Sequence, residues 1–173
     1  MVLKFKRLYK EDISDFELIA NWDNQDAIKY LIRPNFIEGE IEDVTSKDLI
    51  DGIVYNPYKY IYIISIDDKK VGYISIDTNF NLFKKNIDKS CWIGICIGDV
   101  NYHGSGIAKI AMEFLESRAR KLNQRRIELG VFEYNKRAIS FYKKMGYVEI
   151  GKNENFVYYN GKWQSDIRME KYI

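Results

Sequence analysis

The order of apolar and polar positions along the chain predicts short strands alternating with amphipathic helices. Residues 2–8 alternate imperfectly and read as a first strand. Residues 11–22 then place Ile13, Phe16, Ile19 and Ala20 at helical spacing, and a second short helix is expected over 24–31, stopped near Arg33-Pro34. Residues 37–52 concentrate Glu38, Glu40, Glu42, Asp43, Asp48 and Asp51, a solvated helix face with its flanking loop or an acidic lip for a cationic amine. Residues 60–66 and 71–77 form a hairpin around Asp67-Asp68-Lys69-Lys70.

The most informative stretch is 90–122. Cys91, Ile93, Ile95 and Ile97 alternate with Trp92, Gly94, Cys96 and Gly98, the period of a strand. One face is apolar, and the other carries two glycines against which something flat could lie. From Ile107 the period changes, and Ile107, Ile110, Ala111, Phe114, Leu115, Arg118 and Leu122 share a helical face. A fifth strand follows at 126–132, then a helix capped by Asn135 and ended by Gly146, with Ala138, Phe141, Tyr142 and Met145 as its apolar stripe. A sixth strand is expected at 147–150, and 156–159 and 163–172 flank Asn160-Gly161, a strong hairpin signal. No repeat or linker interrupts the chain, so residues 1–173 read as one α/β domain, antiparallel at both ends.

The chemistry concentrates in the turn His103-Gly104-Ser105-Gly106-Ile107-Ala108, where successive N–H groups at a helix start form a cradle for phosphate. No Gly-Lys-Ser/Thr follows, which argues against a nucleotide triphosphatase, and Lys109 occupies the last position of G-x-G-x-x-G. The turn resembles the Arg/Gln-x-x-Gly-x-Gly/Ala signature of the GNAT N-acetyltransferase family, with His103 in place of Arg or Gln. The helix from Asn135 to Tyr147 is similar to that family's second cofactor segment through Asn135, Ala138, Phe141, Tyr142, Gly146 and Tyr147. The closing stretch from Tyr158 to Met169 resembles members acting on protein N-termini, polyamines or amino sugars.

The resemblance implies a mixed, mostly antiparallel sheet of about seven strands, splayed between the fourth and fifth and flanked by about four helices. It implies direct transfer of an acetyl group from acetyl-CoA to a primary amine on a small molecule or protein. The amides of Gly104, Ser105, Gly106, Ile107 and Ala108 would hold the diphosphate, with His103 adding at most one hydrogen bond when neutral. The backbone of Ile95 to Ile97 would align the pantetheine arm, and an N–H near Ile97 would stabilise the oxyanion. Asn135 and Tyr142 belong to the cofactor segment, and Tyr142 would return a proton to the departing thiolate. The fourth strand offers no carboxylate at Ser90, Cys91 or Trp92, which leaves Asp77 and Asp99 as candidate general bases. A non-catalytic acyl-CoA sensor of the same fold is the alternative, and homodimers are common among members.

Composition narrows the remaining classes. With 46% hydrophobic and 30% charged residues the chain is an ordinary globular protein, and a formal charge of +2 gives no nucleic-acid or membrane footprint. Cys91 and Cys96 sit five apart on one strand and point to opposite faces, so they neither pair nor share a metal, and no metal site is expected. The polar opening carries no signal-peptide pattern, and a cytoplasmic location is expected.

Overall fold

The computed structural model describes residues 2–173. Seven strands form one sheet in the order β1-β2-β3-β4-β5-β7-β6. They are β1 (Leu3–Arg7), β2 (Lys59–Ile66), β3 (Lys69–Asp77), β4 (Ser90–Cys96), β5 (Arg126–Phe132), β6 (Val148–Tyr159) and β7 (Lys162–Tyr172). Every neighbouring pair is antiparallel except β4 and β5. The helices are α1 (Ile13–Asp23), α2 (Lys29–Ile32), α3 (Ser46–Val54), α4 (Ile107–Lys121) and α5 (Lys136–Lys144), with a 3₁₀ turn at Val100–Tyr102. The mixed seven-stranded sheet is as expected. Five helices accompany it, close to the four or so implied, and α3 falls in the acidic stretch read as a helix face with its flanking loop, started by a Thr45–Asp48 capping box.

Strand alternation splits the core in two. Tyr62, Ile64 and Ile66 of β2 point to the face covered by α4, where Ile107, Ala111, Met112 and Leu115 are buried with Tyr142 and Tyr147. Ile61 and Ile63 point the other way, onto Phe16, Ile19 and Trp22 of α1. Each fully buried aliphatic side chain stabilises by roughly 1.5–3 kcal/mol relative to exposure, so both helical layers are held firmly. Cys91 lies on the α4 face, whereas Cys96 lies within the field of Asp23 at the end of α1.

Two local features position the site. The first is the parting of β4 from β5. They pair only at Ser90↔Arg126, Cys91↔Ile127 and Trp92↔Glu128. Ile93 to Cys96 stay paired with β3 on one edge and have no strand on the other. The second is the end of α1. A Cβ at Gly98 would lie 2.1 Å from the Trp22 ring, so the flat group expected against this glycine comes from the protein itself. The Gln25 amide adds a hydrogen bond to the Gly98 carbonyl at 3.3 Å.

One expectation is corrected. The runs at 147–150 and 156–159 are not separate strands but parts of the single β6. Its pairing with β7 is irregular between Glu149 and Gly151 and between Asn153 and Val157. Gly151 (φ +146°) and Asn155 (φ +50°) lie at these irregularities, which let the strand continue where alternation breaks.

Candidate acyl-transfer site

The parallel pairing of β4 and β5 brings their C-terminal ends to the same end of the sheet, where the glycine turn and the start of α5 follow them. After β4, Asp99 caps the 3₁₀ turn through Asn101 N–H at 3.0 Å, and the chain turns back through His103 to α4. Gly104 and Gly106 have φ of +81° and +87°, values that side-chain-bearing residues seldom adopt. Helix α4 starts at Gly106 without a side-chain cap, which leaves the N–H groups of Ile107 and Ala108 open. The Lys109 N–H instead donates to the Gly106 carbonyl, and the Ser105 N–H, expected to hold phosphate, donates to the Tyr102 carbonyl at 3.3 Å. Ser105 is folded inward, its Oγ donating to the Tyr102 carbonyl at 2.6 Å. An open helix start beside two glycines fits a diphosphate.

His103 is placed differently from a phosphate ligand. Its Nε2 lies 2.8 Å from the Ile97 carbonyl, so the imidazole ties the loop to the end of β4. A cation does approach the loop, from α5. A Cβ on Gly104 would sit 3.8 Å from Nη2 of Arg137. Sequence reading passed over Arg137 because it belongs to the Asn135 segment, and only the fold shows that the two segments meet.

Asn135 caps α5 by accepting from the Ala138 N–H at 3.2 Å. That start directs Tyr142 into the α4 face of the core, where it packs against Phe141 and Tyr147. Tyr142 is 8% exposed, and burial alone pushes its phenol well above the ordinary value, so it stays neutral. Among the described residues its hydroxyl has no hydrogen-bond partner. Ile95 and Ile97 pack partly buried against the same cluster.

The two candidate bases are not brought together. Asp99 stands at the loop end, paired with Lys69 at 2.8 Å, which with Asn101 holds its carboxyl below the usual range. Asp77 stands opposite Trp92, five residues or about 16 Å along β4 from Ile97 at ~3.3 Å per residue. It accepts from the Asn56 side chain at 2.8 Å and from the Asn79 N–H at 2.9 Å.

Two further groups line this end of the sheet, and a third lies where β4 and β5 are still paired. Tyr30 of α2, Tyr134 after β5 and Tyr159 of β6 form an aromatic cluster, with Tyr134 and Tyr159 stacked at 4.2 Å and the Tyr134 hydroxyl on the Tyr30 carbonyl. The acidic segment is fastened beside them. Asn35 reaches the Gly39 and Tyr158 carbonyls, and Asn24 clamps Val44 through its N–H (2.9 Å) and carbonyl (2.8 Å). Glu38, Glu40, Glu42 and Asp43 remain exposed. Deeper, on the Trp92 face, Glu128 is fully buried between Arg126 and Arg168, and Arg126 also binds Glu170 at 2.6 Å. Arg168 lies 4.7 Å over the Trp92 ring and pairs with Asp166. This network joins β5 to β7 where β4 departs.

A strand that loses its parallel neighbour, an uncapped helix start after it and a phenol packed into the same core mark this face of the sheet. Residues 16–147 match the model of the acetyltransferase (GNAT) family, and the chain belongs to that family. It is an acetyltransferase, as are its curated relatives by name. One, described as an uncharacterized N-acetyltransferase in the pepI 3′ region of Lactobacillus delbrueckii subsp. lactis, is 21% identical over 155 residues, 87% of each chain. Ribosomal-protein-alanine N-acetyltransferase from Brucella melitensis has the same fold, with a TM-score of 0.73 at 18% identity over 100% of both chains. So does yncA of Salmonella typhimurium, solved with its cofactor acetyl-CoA, with a TM-score of 0.74 at 12% identity over 99% of this chain and 94% of that one.

Proposed function

We propose that residues 1–173 form one catalytic domain that moves an acetyl group directly from the thioester of acetyl-CoA to a primary amine. The observation that carries this reading is the unpaired edge of β4 beyond Trp92, which leads into the uncapped start of α4. The open amides of the α4 start, with Arg137 alongside Gly104, would hold the diphosphate. The His103 latch on Ile97 keeps that loop in register with β4, where Ile95 and Ile97 would align the pantetheine arm. Acetyl-CoA supplies an acyl carbon activated by sulfur. The chain's own tasks are to orient it, to polarise its carbonyl from a backbone N–H near Ile97, and to move two protons. Tyr142, neutral and unpaired, is the donor to the leaving sulfur.

The acceptor we infer is a cationic amine. Exposed Glu38, Glu40, Glu42 and Asp43 stand beside the Tyr30–Tyr134–Tyr159 cluster, and carboxylates with aromatic faces attract an ammonium group. A polyamine, an amino sugar or a protein N-terminus or lysine meets that description. The ribosomal-protein-alanine enzyme of the same fold is named for an acceptor of this type. Burial pushes the Cys91 thiol up to about 12, and Cys96 higher still, which fits direct transfer without an acyl-cysteine and a reducing, cytoplasmic setting.

Calorimetry with acetyl-CoA, followed by thiol release with spermidine, glucosamine and an alanine-initiated peptide, tests the reading. Micromolar binding and steady turnover with at least one amine are expected. Binding without turnover would select the sensor, which the absence of a carboxylate on β4 favours. Absence of binding at millimolar ligand would end both.

A further inference from the structure

Six carboxylates are buried in this fold: Asp15, Asp23, Glu116, Glu128, Asp166 and Glu170. Five of them hold a lysine or arginine within ion-pair distance. Asp23 does not. Its two oxygens accept from one neutral donor, the Tyr73 hydroxyl, at 2.8 and 3.0 Å. A buried carboxylate held only by a phenol is costly to keep ionised and easy to protonate.

Its place in the fold makes that property relevant to the reaction. Asp23 is the last residue of α1, next to Trp22, whose ring fills the space over Gly98. Tyr73 lies on β3 directly opposite Cys96. Tyr73 and the Asp23 carboxylate it binds therefore stand beside Cys96, one residue before Ile97, on the sheet face opposite Tyr142. The α1 side of the sheet is the side away from Tyr142, so an amine approaching the thioester from that side would come up against this pair, which is packed into the α1-side core. The other carboxylates near the opening are occupied, Asp99 by Lys69 and Asp166 by Arg168.

We propose that the Tyr73–Asp23 pair takes up the proton that the acceptor loses. The ammonium N–H gives its proton to the Tyr73 oxygen while the Tyr73 O–H passes its own to Asp23, so the phenol is neutral before and after. The freed amine then forms the N–C bond as the C–S bond breaks. Asp23 ends protonated and returns its proton to solvent. Tyr73 is the catalytic member, and Asp23 is a positioning residue that acts through it. Around the pair stand the Cys96 thiol on β4, the Arg33 guanidinium after α2 and the Lys59 ammonium on β2. The two cations favour the ionised carboxylate, burial opposes it more strongly, and the group titrates at about 6. That is where a base working near neutrality belongs. The sequence could not show it, since Asp23 and Tyr73 are fifty residues apart.

This inference rests on the acetyltransferase reading, and the experiment separates the two. With the amine that turns over fastest, kcat is followed from pH 5 to 9 for the wild type, Asp23→Asn, Asp23→Glu and Tyr73→Phe, with acetyl-CoA affinity measured by calorimetry on each. The wild type should lose activity below an apparent pKa near 6. Asp23→Asn and Tyr73→Phe should lose at least about 100-fold in kcat at pH 7 and show no acid limb, with cofactor affinity within threefold of wild type. Asp23→Glu should restore part of the rate and the limb. Tyr73→Phe keeps the packing volume and guards against a folding defect in Asp23→Asn. Normal cofactor binding with kcat within threefold of wild type and an unchanged acid limb in Asp23→Asn overturns the inference alone. Failure of the wild type to bind acetyl-CoA overturns both.

Discussion

A carboxylate that is buried without a cation should cost the fold stability at neutral pH, and Asp23→Asn measures how much. The ordinary value for this side chain is 3.8, and burial raises it to about 6. Between those values the folded chain binds more protons than the unfolded chain, so stability from this group falls as pH rises. The favourable contribution is complete below pH 3.8 and gone above about 6. Two pKa units at 1.36 kcal/mol each amount to about 3 kcal/mol. For a chain of this size that is a shift of about 6–12 °C in Tm. Asparagine has no charge to desolvate and keeps an oxygen for the Tyr73 hydroxyl, so the variant should escape the penalty. Thermal melts of both proteins across pH 4 to 8 should give a Tm difference near zero at the acid end. The difference should grow in favour of Asp23→Asn from about pH 4 to 6 and then level. A pH-independent difference, or a variant less stable than wild type at pH 8, would refute the account of Asp23 as an unpaired buried acid.

Four other outcomes are expected. Tyr142→Phe removes a hydroxyl that bonds to nothing in the protein, so Tm should move by less than about 2 °C while kcat falls about 100-fold or more; a Tm loss matching the activity loss would make Tyr142 a packing residue. Gly98→Ala forces a methyl to 2.1 Å from the Trp22 ring and should cost about 1–3 kcal/mol in chemical denaturation, an increment that should largely vanish when the same change is made in a Trp22→Ala background, itself less stable by about 3–5 kcal/mol. Glu128→Gln leaves Arg126 and Arg168 facing a neutral amide in a dry site, and a loss of about 3–5 kcal/mol is expected by urea unfolding. At pH 8 a thiol titrating near 12 is ionised in only about one molecule in ten thousand. Ellman's reagent should therefore leave Cys91 unmodified in the native protein and react with both cysteines after unfolding.

Much of the fold was legible because its chemistry is local. The Asn160-Gly161 turn (φ +53° and +78°), the Asn135 cap and the period change at Ile107 each depend on a few adjacent residues, and each stands where the sequence puts it. The strand β6 was misread because its bulges spoil the alternation, and the pairing that heals it comes from β7. The candidate site was legible on the cofactor side, where two contiguous segments carry it. The opposite face was not. Tyr73 reads as a strand tyrosine and Asp23 as a helix-end aspartate until the register sets Tyr73 against Cys96. Arg137 and Gly104, 33 positions apart, likewise acquire meaning only through the turn that juxtaposes them.

The divergence of β4 from β5 has a consequence beyond reactivity. A gap inside a sheet exposes hydrogen-bonding backbone that any extended polypeptide could zip into, the hazard usually met at the rim of β proteins. On the proposed reading the thioester fills this gap, so the protein should resist clumping better when that ligand is plentiful.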